Sequence, residues 1–219
     1  MNQRALIAEF VGTFALIFIG AGSIASSFIV GVQSSLVGIA LAHGLAIAVM
    51  VSATAGISGG HLNPAVTLGL LAVKKINTPT AVQYVIAQCL GAIVAAILLT
   101  VCIPPAIVSA TQLGTPVLGL DVTPVMGLIT EIILTFFLVF VVYGTAVSKQ
   151  APKMGGLFIG LTVTMDILVG GPLTGAAMNP ARHLGPALIS GNLTNLWIYW
   201  VGPIIGGVLA ATLYQRKLE

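Results

Sequence analysis

Few residues in this chain are equipped for chemistry. Asn63-Pro64-Ala65 and Asn179-Pro180-Ala181 repeat one tripeptide in the two halves of the sequence. Asn is a favoured helix N-cap and Pro is favoured at the first helical position, so each tripeptide reads as a helix start. In each, the side-chain oxygen satisfies the helix end while the NH2 group is left to donate to a water or hydroxyl oxygen. Arg182 follows the second tripeptide directly, and Glu9, Glu131, Asp166, His43, His61 and His183 supply the other ionisable groups of the apolar stretches. There is no HExxH, no G-x-S-x-G and no pair of catalytic acids, so the pattern points away from an enzyme and calls for no cofactor. Cys89 and Cys102 lie in apolar runs without C-x-x-C spacing and read as small packing residues, not as a disulfide, metal or redox site.

Composition says what must position these groups. The chain has 219 residues, 58% hydrophobic and only 6% charged, with a mean hydropathy of +1.11. Soluble domains carry roughly 25% charged residues, so most of this surface cannot face water, and the chain reads as an integral membrane protein. Its net charge of +3 holds no basic cluster larger than Lys74-Lys75 or Arg216-Lys217, which argues against nucleic acid. Apolar runs between breakers predict six spans, at 5–30, 36–55, 81–103, 124–147, 155–172 and 196–214. Breaks fall at Gly31–Ser35, from Pro104 to Pro116, at Ser148–Lys153 and at Gly191–Asn195. The first run lacks a small-residue cleavage site and is read as a span, not a cleaved signal. Two further segments, His61–Val73 and Met178–Ser190, are helical in pattern but too short to cross. With both termini cytoplasmic, seven of the eight Lys and Arg residues obey the positive-inside rule, and Arg182 alone departs.

The chain also repeats itself. Ser58–Gly69 aligns without gaps on Thr174–Gly185, and Glu9 with Thr13-Phe14 echoes Glu131 with Thr135-Phe136. Each half, about 1–110 and 120–219, has three spans, so the halves take opposite orientations within one domain covering 1–219. This is the inverted-repeat plan of many transport proteins. Helices of about 10 residues are roughly 15 Å long, half of the roughly 30 Å hydrocarbon core. Two of them entering from opposite faces meet N-terminus to N-terminus near the middle. Their irregular approaches carry backbone that lipid cannot satisfy, which is tolerated only against protein or a water-filled path. A hydrophilic lane follows, with positive partial charge at its centre that repels cations and protons.

On these residues the chain resembles the major intrinsic protein (aquaporin) family. The match is carried by Ala8-Glu9-Phe10 with Gly12-Thr13, by Ser58-Gly-Gly-His-Leu-Asn-Pro-Ala-Val-Thr67, by Glu131 with Thr135, and by Asn179-Pro-Ala-Arg182. The resemblance covers essentially the whole chain. It implies an all-α membrane fold of six helices plus two re-entrant half-helices, a pore in every subunit, and a homotetramer. Short termini and short Val-Lys-Lys and Ala-Pro-Lys loops look closer to prokaryotic members of a plasma membrane, archaeal ones among them. The family's filter positions fall on His43, Ile167, Ala176 and Arg182. His-Ile-Ala-Arg looks like the plant vacuolar subtype, whose members resemble water channels that also pass ammonia or urea. Glycerol facilitators carry Asp after the filter arginine, whereas this chain has His183.

Several roles stay open at this point. Arg182 sits at the third helical position, where a cation opposes the helix dipole; it either faces the lane or snorkels to the headgroups. His43 either donates or accepts in the lane, or is a packed, satisfied histidine. Glu9 and Glu131 read as scaffold carboxylates that accept loop N–H groups, with proton relay as the alternative. By its family position His61 lines the cytoplasmic half of the lane or gates it. Asp166 points about 100° away from Ile167 on a helix, as a scaffold acid or a substrate-tuning group. Trp197, Tyr199, Trp200 and Tyr214 fit interfacial belts, and Gly91/Ala95 and Gly202/Gly206 fit close helix packing. Asn192-Leu-Thr194 is a formal glycosylation sequon without an evident role. The reading is a passive channel for water and small neutral solutes; a glycerol facilitator and an ion-coupled transporter are the rivals.

Overall fold

A computed structural model describes residues 2–31 and 35–219. Six helices are long and apolar enough to cross a membrane: Gln3–Ile29 (α1), Leu36–Ser58 (α2), Thr78–Cys102 (α4), Pro124–Val147 (α6), Gly155–Thr174 (α7) and Ile198–Lys217 (α9). Each boundary lies within a few residues of the span read from the sequence. The expected break at Gly31–Ser35 falls partly outside the described residues. Between a third and a half of each apolar window is buried inside the protein. The remainder exposes large apolar side chains such as Val30, Val101 and Val169, the surface of an integral membrane protein.

The helices start where polar caps allow. Asn77 accepts from the Thr80 N–H at 2.9 Å, and Thr123 caps α6 through the Met126 N–H. Two short helices, Pro64–Ala72 (α3) and Pro180–Ser190 (α8), have 9 and 11 residues and cannot cross. At 1.5 Å per residue they are about 14 and 17 Å long. The Pro104-to-Pro116 break is not irregular throughout. It contains a further helix, Pro105–Thr111 (α5), because Pro105 fits the first helical position.

Each half-helix packs on the last span of the other half, α3 on α9 and α8 on α4. Glycine makes this possible. A Cβ at Gly69 of α3 would lie 2.9 Å from the Gly207 carbonyl oxygen, and one at Gly185 of α8 would lie 2.5 Å from that of Ala92. The expected close packing at Gly91, Gly202 and Gly206 is also present, against Phe10, Glu131 and Ile132 respectively. Two π-helical turns, Leu16–Ala21 in α1 and Tyr143–Val147 in α6, were not legible in the sequence. The first makes room beside the lane: a Cβ at Gly20 would lie 2.5 Å from His43 Cδ2.

Candidate functional site

The chain approaching each half-helix is held by a buried carboxylate. Glu9 Oε1 accepts from the Ser58 hydroxyl at 2.6 Å and the His61 N–H at 2.9 Å. Its Oε2 accepts from the Leu62 N–H at 2.7 Å and from Gln88 Nε2 at 2.8 Å. In the second half, Glu131 Oε1 accepts from the Thr174 hydroxyl at 2.7 Å and the Ala177 N–H at 2.9 Å, and Oε2 from the Met178 N–H at 2.7 Å. The turns match in conformation as well. Leu62 and Met178 are left-handed, with φ of 50° and 51°, and Gly60 and Ala176 are left-handed too. Both carboxylates are fully buried and neither borders the lane. Three of the four donors to Glu9 and all three to Glu131 come from the end of the preceding span and the loop after it; the fourth to Glu9 comes from Gln88 of α4.

The two tripeptides meet at the centre. Asn63 Oδ1 accepts from the Ala65 N–H at 2.8 Å, and Asn179 Oδ1 from the Ala181 and Arg182 N–H groups at 3.0 and 3.2 Å. Pro64 and Pro180 occupy the first helical positions. Each amide then crosses to the other half. Asn63 Nδ2 donates to the Met178 carbonyl and Asn179 Nδ2 to the Leu62 carbonyl, both at 2.9 Å. This refines the sequence expectation: one N–H of each amide ties the halves together, and only the second is left for the lane.

Both asparagines border a cavity of about 30 Å³, room for about two waters. Its other walls are largely apolar, with Ile47 and Val51 from α2, Leu138 and Val142 from α6, and Val163 from α7. Sequence reasoning missed this wall, since in a span that is apolar all round nothing marks the lane-facing residues. At one end the cavity meets a vestibule of about 1130 Å³ bordered by Lys74 and Lys75; His61 lines both. The Thr67 hydroxyl donates to the Asn63 carbonyl and accepts from Gln88 Nε2. His61 Nδ1, 3.1 Å away, is therefore the donor in that contact, which leaves Nε2 as an acceptor. The ring edge also packs on Tyr84.

His43, Ile167, Ala176 and Arg182 all border the central cavity, so the structure brings together the four residues aligned by resemblance. His43, Ile167 and Arg182 also border a cavity of about 350 Å³ with Ile24, Leu36 and Ile39 on its apolar side. Arg182 is 3% exposed and does not snorkel. Its Nη1 donates to the Gly114 carbonyl at 2.8 Å, and its Nε has no protein partner. His43 Nδ1 donates to the Ile39 carbonyl at 2.8 Å, which makes Nε2, unpartnered, an acceptor. His43 is therefore half satisfied and cannot donate into the lane in its neutral form.

Three other polar groups lie behind the lane. Gln88, one of two glutamines in an apolar span, joins Glu9 to Thr67. Tyr199 corrects an expectation. It is wholly buried, donates to the Thr174 carbonyl at 2.9 Å and stacks on His183 at 4.0 Å between centroids. Its position near the start of α9 resembled an interfacial belt because an aromatic ring with a polar tip suits either setting. Asp166 is buried away from the cavity, and its Oδ2 has no partner among the described residues.

Comparison with known proteins agrees with this architecture. The family model described as "Major intrinsic protein" matches residues 1–214. Aquaporin TIP4-4 of Zea mays is 45% identical over 221 residues, covering 97% of this chain and 85% of that protein. Aquaporin-4 of Mus musculus is 44% identical over 218 residues, covering 97% and 66%. The X-ray structure of the aquaglyceroporin from Plasmodium falciparum superposes with a TM-score of 0.91 at 27% identity, covering 100% of this chain and 97% of that one. With its paired half-helices, crossed asparagines and six spans, this chain belongs to the major intrinsic protein family.

Proposed function

We propose that the chain is a passive, non-enzymatic channel for water and small neutral solutes, ammonia and urea among them, that excludes protons and ions. The observation that carries this reading is the crossing of Asn63 and Asn179 at two opposed helix N-termini, beside a cavity of about 30 Å³ that both border. A water accepting from both amides turns its own hydrogens outward along the lane, which breaks a proton wire at the centre. The helix ends and the Arg182 guanidinium supply positive charge that repels cations. The apolar wall offers few competing partners, so a solute is handed between a small number of polar stations.

In this reading His43, Ile167, Ala176 and Arg182 form the selectivity filter. Asn63-Pro64-Ala65 and Asn179-Pro180-Ala181 form the central station, and Glu9, Glu131 and His61 support the loops. Ile167 and Ala176 bring no polar atom and little bulk, which favours ammonia and urea beside water. Glycerol is the second reading, favoured by the apolar side of the filter cavity. We further propose a homotetramer, one channel domain over 1–219 built from inverted halves of about 1–110 and 120–219, and cytoplasmic termini. Seven of eight Lys and Arg residues support that orientation. The short connections at Val73–Lys75 and Ala151–Lys153 are the support for placing the chain in a prokaryotic plasma membrane.

Stopped-flow light scattering on proteoliposomes, comparing water, ammonia, urea and glycerol, tests the filter. Fast water, ammonia and urea with slow glycerol is the expected profile. Glycerol as fast as urea would replace the narrow filter with the facilitator reading.

A further inference from the structure

We infer that Asn192, acting through Gln112, is a specificity-determining positioning residue for the Arg182 guanidinium; this rests on the proposed role of Arg182 in the filter. Among the described residues the guanidinium has one protein partner, the Gly114 carbonyl. Its place is therefore set by whatever holds Gly114. The backbone there is unusual. Gln112, Leu113 and Gly114 are left-handed in succession, with φ of 48°, 53° and 64°. Two running non-glycine residues in that region persist only where their surroundings impose the conformation.

Three contacts impose it. Leu113 is buried in the core at 1% exposure. Thr115 closes the turn, its N–H and hydroxyl both donating to the Gln112 carbonyl, at 3.0 and 2.6 Å. The third is a clasp from the chain just beyond α8. Asn192 Nδ2 donates to Gln112 Oε1 at 2.6 Å, the one hydrogen bond of that side chain among the described residues. Asn192 Oδ1 is itself fixed by the Thr194 N–H at 3.2 Å. Ser190 adds to the clasp. Because the Thr115 hydroxyl already donates to Gln112, Ser190 must be the donor in the 3.0 Å contact between the two hydroxyls.

The clasp and the guanidinium thus belong to the two ends of one helix. Arg182 stands at the third residue of α8, and Ser190 and Asn192 stand at and just past its last. The 112–115 turn is a strap laid alongside that helix, gripped at one end by Asn192 and gripping Arg182 at the other. Releasing Asn192 frees the strap to relax from its left-handed conformation. The Gly114 carbonyl then withdraws, and the guanidinium gains room to swing out of the lane. A wider opening with fewer fixed donors admits urea more readily relative to water. The Asn192-Leu-Thr194 sequence thereby has a structural role independent of glycosylation.

The test is the urea-to-water permeability ratio of proteoliposomes carrying wild type, Asn192→Ala, Asn192→Asp, Arg182→Val and the Asn192→Ala/Arg182→Val double variant. Asn192→Ala is expected to raise the ratio about threefold, the scale of losing one exposed hydrogen bond. Its melting temperature should stay within about 2 °C of wild type, since the change is at the surface. Asn192→Asp is expected to keep the wild-type ratio, because a carboxylate accepts from the flipped amide of Gln112. In the Arg182→Val background, Asn192→Ala should add nothing. If Asn192→Ala fails to fold, Gln112→Ala is measured in its place. An unchanged ratio in Asn192→Ala, or an equal rise with and without Arg182, overturns the inference. No change in Arg182→Val itself would instead overturn the filter role on which it rests.

Discussion

Glu9 accepts four hydrogen bonds and Glu131 three, although the turns they hold match residue for residue. The missing fourth donor is Gln88: Tyr84 and Tyr199 make the same bond to the Ser58 and Thr174 carbonyls, and Gly91 and Gly206 the same close packing, which puts Pro203, without a side-chain donor, at the place of Gln88. The first half-helix is thus pinned to its surroundings by an amide that also binds Thr67. In the second half His183 stands at the place of Thr67 and stacks on Tyr199. The charge placement differs in parallel. The residue after the first Asn-Pro-Ala is Val66, and after the second it is Arg182. One half is built as a fixed post. The other carries Arg182, the proposed filter cation, whose guanidinium has one partner among the described residues, the Gly114 carbonyl.

Removing either post should have the largest effect. Glu9→Ala strands four donors, each costing about 1–3 kcal/mol when buried without a partner, against a total stability of about 5–15 kcal/mol. The variant is expected not to be recovered as a folded protein by size-exclusion chromatography in detergent. Glu131→Ala, with three stranded donors, is expected to fail less completely. Equal recovery of both with wild type would break the comparison at its root.

Arg182→Val gives the second half the residue of the first and tests the asymmetry of charge. Because the guanidinium makes one hydrogen bond to the protein, the expected loss of stability is modest, about 1–3 kcal/mol. The expected gain in urea permeability is about tenfold. Parallel thermal-unfolding and flux measurements separate these effects. A large stability loss with unchanged flux would make Arg182 a structural residue.

Gln88→Leu and Tyr199→Phe sharpen the difference between the posts. The first removes a hydrogen bond to a carboxylate, worth about 1.5–3 kcal/mol, and the second a bond to a carbonyl, worth about 0.5–1.5 kcal/mol. Gln88→Leu should therefore show the lower melting temperature. The reverse order would mean that the Tyr199–Thr174 hydrogen bond, not the carboxylate network, dominates the anchoring.

The smallest expected effect lies at the chain end beside α3. Glu219 accepts from the Tyr143 hydroxyl at 2.6 Å and from Lys75 Nζ at 3.2 Å. Tyr143 and Lys75 hold the Glu219 carboxyl below its ordinary value of 4.5, and Tyr143 and Glu219 hold Lys75 above its ordinary 10.5. A lowered carboxyl contributes stability that is present above its ordinary value and lost as pH falls through the lowered one. A raised lysine contributes stability that is present below its ordinary value and lost as pH rises through the raised one. The melting difference between wild type and Glu219→Gln is expected to be small and flat from about pH 5 to 10 and to vanish in acid. A difference that grows towards acid would contradict this.

Much of the fold was legible because its signals are local or repeated. Six apolar runs, two Asn-Pro-Ala starts and the Glu9/Glu131 echo each need only sequence distance to be read. The rest depends on distant partners. Gln88 is meaningful only beside Glu9, from which 78 residues separate it. Tyr199 reads as an interfacial aromatic until Thr174 and His183 are placed around it. The lane-facing sides of α2, α6 and α7 could not be found because those helices are apolar towards lipid and lane alike. The π-helical turn at Leu16–Ala21 has no propensity signal. It places Gly20, where a Cβ would lie 2.5 Å from His43 Cδ2, a tertiary contact that sequence distance does not reveal.

The crossed asparagines beside a water-wide lane are tested most directly by osmotic water permeability of proteoliposomes, measured with and without an imposed sodium or proton gradient. Water flux well above empty liposomes and independent of either gradient is the expected result. Flux equal to that of empty liposomes from folded protein, or flux that follows a gradient, would contradict a passive open lane.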